Sequence, residues 1–247
     1  MKERGRNATA IIVLLSVIFL CFPEYSRGQQ PITLASSLHN PFALTVDQNN
    51  VYWIETFISA NGTTFMIRKM PLNGGTSVDI ATQSFGFIGI AGVPSITVDN
   101  TTVYWSFSPG FGIGFLYKAP ITGGTPMFLT GANQPSDIAL DSNFIYWAED
   151  NGGPDVTQGI RKVPLSGGDV TTVTTLGIPL ALAVVGSEVY FSYFDFFSGG
   201  NRIGRVSTEG GAVIDLVSTV SRASDIVADA THLYWTEFDA GTVNKIP

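Results

Sequence analysis

The chain has 247 residues, with 13 basic and 20 acidic side chains, a net charge of −7 and a single cysteine. One cysteine excludes a disulfide scaffold and a thiolate metal cluster, and an acidic surplus without a basic patch disfavours nucleic acid as a partner. The length is enough to bury a large core.

Residues 1–28 read as a secretory signal peptide. The basic "MKERGR" precedes the apolar run "ATAIIVLLSVIFLCF", and the polar "PEYSRGQQ" follows, with cleavage expected near Gly28. The apolar run is short for a membrane span. Cleavage removes Cys21, and with it any cysteine nucleophile; it leaves nine basic against eighteen acidic side chains, a net charge of −9. No later run is long and apolar enough to cross a membrane, so the expected location is secreted or periplasmic.

From residue 29 onward the sequence repeats itself. Five apolar runs, "ALTVD" (43–47), "SITVD" (95–99), "DIALD" (137–141), "ALAVV" (181–185) and "DIVAD" (225–229), each precede an aromatic strand: "VYW" (51–53), "VYW" (103–105), "IYW" (145–147), "VYF" (189–191) and "LYW" (233–235). The tyrosines are 52, 42, 44 and 44 residues apart. A third run ends in Lys69, Lys118, Lys162, Arg205 or Lys245, and four of the five continue into Gly-Gly and a fourth run. Asn, Asp and Gly mark the turns, and no stretch has a helical period. Four short strands per repeat near 43 residues predict an all-β fold, a five-bladed β-propeller of four-stranded blades spanning residues 29–247. The near-continuous apolar character of each first strand predicts burial on both faces.

The fifth unit stops at "VNKIP" (243–247), after its third strand, while "QPITLAS" (30–36) aligns with the fourth-strand segment "TPMFLTG" (125–131). The N-terminal strand is therefore expected to close the last blade and remove an exposed edge. On this reading the chain is complete.

The aromatic strand, the basic strand and the Gly-Gly turn together resemble the YWTD-type repeats of low-density-lipoprotein-receptor-like propellers, with "YWTE" (234–237) the nearest match. Glu55, Glu149 and Glu237 stand where that family has Asp, and five units stand where it has six. The resemblance implies a propeller that binds through its loops, and it carries no catalytic residues across. Trp53, Trp105, Trp147, Phe191 and Trp235 are expected to pack between blades. The acids and bases suggest the ion pairs Glu55–Lys69, Glu149–Lys162 and Glu237–Lys245.

Loop lengths differ between the two ends of the repeats. First-to-second turns and Gly-Gly turns are constant, whereas second-to-third loops range from "TFISANGTTF" (56–65) to "FDAG" (238–241), and "SFGFIGIAG" (84–92) is an insertion. Variation over a fixed scaffold is where recognition sits. The expected ligand-binding rings are Phe85, Phe87, Phe111, Phe196, Phe197 and Phe238, stacking on a glycan or anchoring an extracellular or periplasmic protein. The alternative is that these rings fold back as a lid on the central channel.

Asp137 and Asp225 share one position at the start of an inner strand. As a carboxylate pair at the channel mouth they would suit a glycoside hydrolase, or they cap turns. No base or nucleophile can be assigned, so a non-catalytic binding module is the leading reading. Asp150 and Asp155, on "DNGGPD", are weak calcium candidates without the EF-hand pattern. His39 and His232 are isolated, no cofactor is implied, and a monomer is expected. "NGT" (61–63) and "NTT" (100–102) are glycosylation sequons in a eukaryotic host.

Overall fold

A computed structural model describes residues 31–86, 92, 94–110, 112–149, 158–219, 221–229 and 231–247. Among them nineteen strands form five antiparallel sheets, each running outward in chain order. Sheet one is β1 (Pro41–Val46), β2 (Asn50–Ser59), β3 (Gly62–Pro71) and β4 (Val78–Phe85). Sheet two is β5 (Ser95–Val98), β6 (Thr102–Gly110), β7 (Ile113–Pro120) and β8 (Met127–Ala132). Sheet three is β9 (Pro135–Leu140), β10 (Phe144–Glu149), β11 (Gly159–Pro164) and β12 (Thr171–Thr174). Sheet four is β13 (Ile178–Val185), β14 (Glu188–Asp195), β15 (Gly200–Ser207) and β16 (Ile214–Thr219). Sheet five has three strands, β17 (Ala223–Ala228), β18 (Leu233–Glu237) and β19 (Thr242–Ile246). All five lie within one compact unit, Leu34–Pro247.

The constant turns have a chemical cause. Asp47, Asp99, Asp141 and Asp229 each accept two backbone amides of their own turn through Oδ1. Through Oδ2 each accepts the hydroxyl of the tyrosine five residues on: Tyr52 at 2.6 Å, Tyr104 at 3.1 Å, Tyr146 at 2.7 Å and Tyr234 at 2.9 Å. Burial and then the Asp99 carboxylate push Tyr104 up to about 12. The first glycine of each Gly-Gly pair takes a left-handed φ (86°, 94°, 92° and 86° at Gly74, Gly123, Gly167 and Gly210), which a Cβ disfavours.

Trp105, Trp147, Phe191 and Trp235 pack between sheets as expected, the first three fully buried and Trp235 nearly so, whereas Trp53, also nearly buried, packs within sheet one against Ala35 and Leu38. The expected ion pairs do not form. Residues alternate faces along a strand, and the register sets Tyr52 opposite Lys69 but Trp53 opposite Arg68. Glu55, on the tryptophan's face, therefore meets Arg68 at 3.0 Å, and Glu149 meets Arg161 at 3.2 Å. The acid also accepts the indole N–H two residues back, in the pairs Trp53–Glu55, Trp147–Glu149 and Trp235–Glu237. The lysines point the other way and tie neighbouring sheets. Lys69 donates to the Ile121 carbonyl, Lys118 to that of Leu165 and Lys162 to that of Thr208, at 2.5, 2.5 and 2.7 Å.

Two further expectations change. The first strands bury one side between sheets and turn the other toward the cavity, although β13 buries both Ala181 and Leu182. The closing strand is absent as well: residues 31–36 carry no regular structure, and β19 pairs only with β18 among the described residues. Ala35 and Leu38 instead pack on Val51, Trp53 and Met70 of sheet one. Ser37 and Asn40, both with left-handed φ, bend the chain just before β1. The seam between sheets five and one stays open in consequence. Ile96, Ile138, Leu182 and Ile226 each pack on the preceding sheet and are at most 6% exposed, whereas Leu44, at the same register position, is 69% exposed. Residues 1–28, the expected signal peptide, lie outside the described residues, and no described helix is long and apolar enough to cross a membrane.

Candidate functional site

The first strand of every sheet contributes to one cavity of about 710 Å³. Its wall includes Leu44, Ser95, Asp137, Leu182 and Asp225, one each from β1, β5, β9, β13 and β17. The antiparallel registers then fix which loops share that end. Ala223 pairs with Glu237 and Ile178 with Phe194, so Phe238 and the loop 195–200 leave their sheets beside the cavity rather than at the opposite end.

Asp137 joins three of the inner strands. Its Oδ1 accepts the Ser95 hydroxyl of β5 at 2.8 Å and the Ile138 amide at 2.8 Å, and its Oδ2 accepts the Leu182 amide of β13 at 2.9 Å. Burial pushes its carboxyl up to about 6; the three hydrogen bonds oppose the rise, and the Asp225 charge adds to it. Asp225 lines the same cavity but is solvent-exposed. The sequence therefore pairs two acids that the structure also brings together, in different environments.

At the rim, the Arg222 guanidinium lies over the Phe238 ring, 5.5 Å from its centroid, and the Phe238 amide donates to the Arg222 carbonyl at 3.0 Å. Phe238 is 68% exposed and Phe197 97%. Phe196, also exposed, meets Phe194 edge to face at 5.4 Å. Asp195 fixes this loop by accepting the Phe197 amide, the Ser198 hydroxyl and the Arg202 guanidinium. The Ser198 bond above all holds Asp195 below the usual carboxylate range. These rings stand out on an anchored loop, which suits stacking without a large ordering cost.

Phe85 departs from the expectation. It is half-buried among Phe65, Phe107, Phe115 and Tyr117, so it is a core ring rather than a contact surface. Phe87, Phe111, Asp150 and Asp155 lie outside the described residues. Among the described residues, no group of three or more His, Cys, Asp or Glu side chains is placed to hold a metal. The sequence reading missed Arg222 and Gln134, which line the cavity without recurring in the repeats. Gln134 has a left-handed φ of 43°, an unusual backbone for a non-glycine residue beside a pocket.

No protein-family model matches the chain, and no curated protein does. Solved structures do. A putative TolB from Agrobacterium tumefaciens superposes with a TM-score of 0.60 at 16% identity, covering 83% of this chain and 79% of that one. The fold is a β-propeller. A nidogen/laminin complex matches with a TM-score of 0.50 at 18% identity over 74% of this chain and 69% of the other. An oligogalacturonate lyase in complex with manganese matches at 0.54 and 12% identity, over 79% and 69%. Likeness at these identities is likeness of fold alone, and the propeller's neighbours include both binding proteins and enzymes.

Proposed function

We propose that the chain is an exported, non-catalytic β-propeller of five blades that binds a glycan at the cavity end. The observation that carries this reading is the meeting, at one end of the sheets, of a five-strand cavity with the exposed rings Phe196, Phe197 and Phe238. Exposed aromatic rings around a polar, partly apolar pocket are the equipment for stacking on sugar faces and hydrogen-bonding their hydroxyls. Residues 1–28 would direct export.

The test is a glycan array probed with residues 29–247, beside the double variant Phe196→Ser, Phe197→Ser. Binding by the parent, lost in a variant that keeps its β-rich circular dichroism, supports the reading. A variant that fails to fold would make the two rings core and remove them from the site. A blank array would overturn the glycan reading in favour of a protein partner, sought by pull-down from the native medium or envelope.

A second reading rests on Asp137 and Asp225. Two carboxyls facing one cavity, one of them raised to about 6, are the pattern of a glycoside hydrolase. Against it, both Asp137 oxygens are occupied by bonds that hold the inner strands together. Release of reducing ends by the parent and none by Asp225→Asn would favour hydrolysis; no release by either would exclude it.

A further inference from the structure

A second groove of about 440 Å³ lies between sheets two and three. Its floor is polar. Glu149 accepts the Trp147 indole at 2.8 Å and the Asn133 amide at 3.2 Å through Oε1, and Arg161 at 3.2 Å through Oε2. Gly131 and Phe115 complete the walls. Groove and cavity each fall in the size range of ligand sites.

The two are neighbours in the fold for three separate reasons. Gly131 to Asn133 line the groove and Gln134 to Asp137 line the cavity, so one continuous backbone passes from one to the other. Ser108, on the cavity wall, donates to the Ile113 carbonyl of the groove at 2.7 Å. Gly114, in the groove, lies so close to Pro135 of the cavity that a Cβ there would stand 2.1 Å from the proline ring. Adjacent Cα atoms are about 3.8 Å apart, so the ridge at Asn133–Gln134 is only about one or two residues wide.

We propose that the cavity and this groove form one track, and that the protein binds an extended, neutral sugar chain of several units rather than a single sugar. The inference rests on the glycan reading above and specifies its ligand class. One unit occupies the cavity beside the Phe196, Phe197 and Phe238 rim, and the chain crosses Asn133–Gln134 so that further units lie along Ile113, Phe115 and Val170 of the groove. Neutral sugars are specified because Asp137 and Asp225 repel an anionic chain. Occupying two linked subsites adds affinity because the second contact becomes intramolecular.

Gly131 offers a clean test. A Cβ added there meets nothing within 4 Å, and its φ is not left-handed, so Gly131→Phe can project a ring from the groove wall without straining the backbone. The probes are β-1,4-linked glucose, mannose and N-acetylglucosamine oligomers of one to six units, titrated by calorimetry. For at least one sugar, affinity is expected to rise on the order of tenfold or more between one and three units. Gly131→Phe should abolish that rise while keeping the affinity for the single sugar, and Asn133→Ala serves as a second variant should the first fold poorly. Affinity independent of length, or an unchanged rise in both variants, overturns the proposal. No binding by any ladder, while the array scores another glycan, overturns the extended track alone; a blank array overturns the glycan reading as well.

Discussion

Trp105 and Trp147 hold the same place in sheets two and three, and both are fully buried. Trp147 donates its indole N–H to Glu149, but Phe107 stands where sheet two would have the acid, and the Trp105 indole has no hydrogen-bond partner among the described residues. Removing a satisfied donor leaves its buried acceptor short, whereas removing an orphan leaves nothing behind. Trp147→Phe should therefore destabilise the protein more than Trp105→Phe, by about 1–2 kcal/mol in chemical denaturation. Equal losses would contradict the role given to Glu149. Asp137 supplies a pH test. Its folded pKa, raised to about 6 from 3.8, favours the protonated form. Its contribution to stability is then fully present below about 3.8 and is lost as pH rises through about 6. The stability gap between the parent and Asp137→Asn should narrow from pH 4 to pH 7; a constant gap would contradict burial as the dominant influence.

At the scale of strands and sheets, the lysines of the third strands act as ties between sheets rather than as partners of the repeated acids. Lys162 is nearly buried, with its ammonium 4.5 Å above the Phe144 ring and donating to the Thr208 carbonyl. Lys162→Met keeps much of the stem and removes the tie, so it should cost about 1–3 kcal/mol; an unchanged denaturation midpoint would mean that packing alone holds that seam. The repeat was legible because an aromatic strand recurs in every unit, with an Asp in four of the five first turns and a Gly-Gly in four of the five units, which are local signals. The partners of Glu55 and Lys69 were not legible in the same way, because they depend on register: a one-residue shift exchanges Arg68 for Lys69 on a face. Phe85 misled for a related reason, since an aromatic in an insertion looks exposed until the rings that bury it are brought together from three other strands. Asp137 and Asp225 were found because they break the repeat, and Arg222 escaped because it sits one step outside it.

For the whole molecule, four seams between successive sheets are filled and the one between sheets five and one is not. Leu44, Val46, Val227 and Val243 are all exposed, and the outer edge of β19 is free among the described residues. Ala35 packs on Val51, Trp53 and Met70 of sheet one, so deleting residues 29–36 should lower the melting temperature, by about 2–4 °C for each kcal/mol lost in a chain of this size. An unchanged melt would leave those residues with no part in holding sheet one. The arrangement of the sheets gives the molecule two unlike ends: a cavity with variable, aromatic loops at one, and short turns, four of five capped by Asp, at the other. Hydrogen–deuterium exchange, with and without the strongest-binding sugar of the array, discriminates between them directly. Protection should fall on residues 178–182, 195–200 and 222–227 at the cavity end; protection confined to the Asp47–Asn50 and Asp99–Thr102 turns would place binding at the wrong end and contradict the assignment.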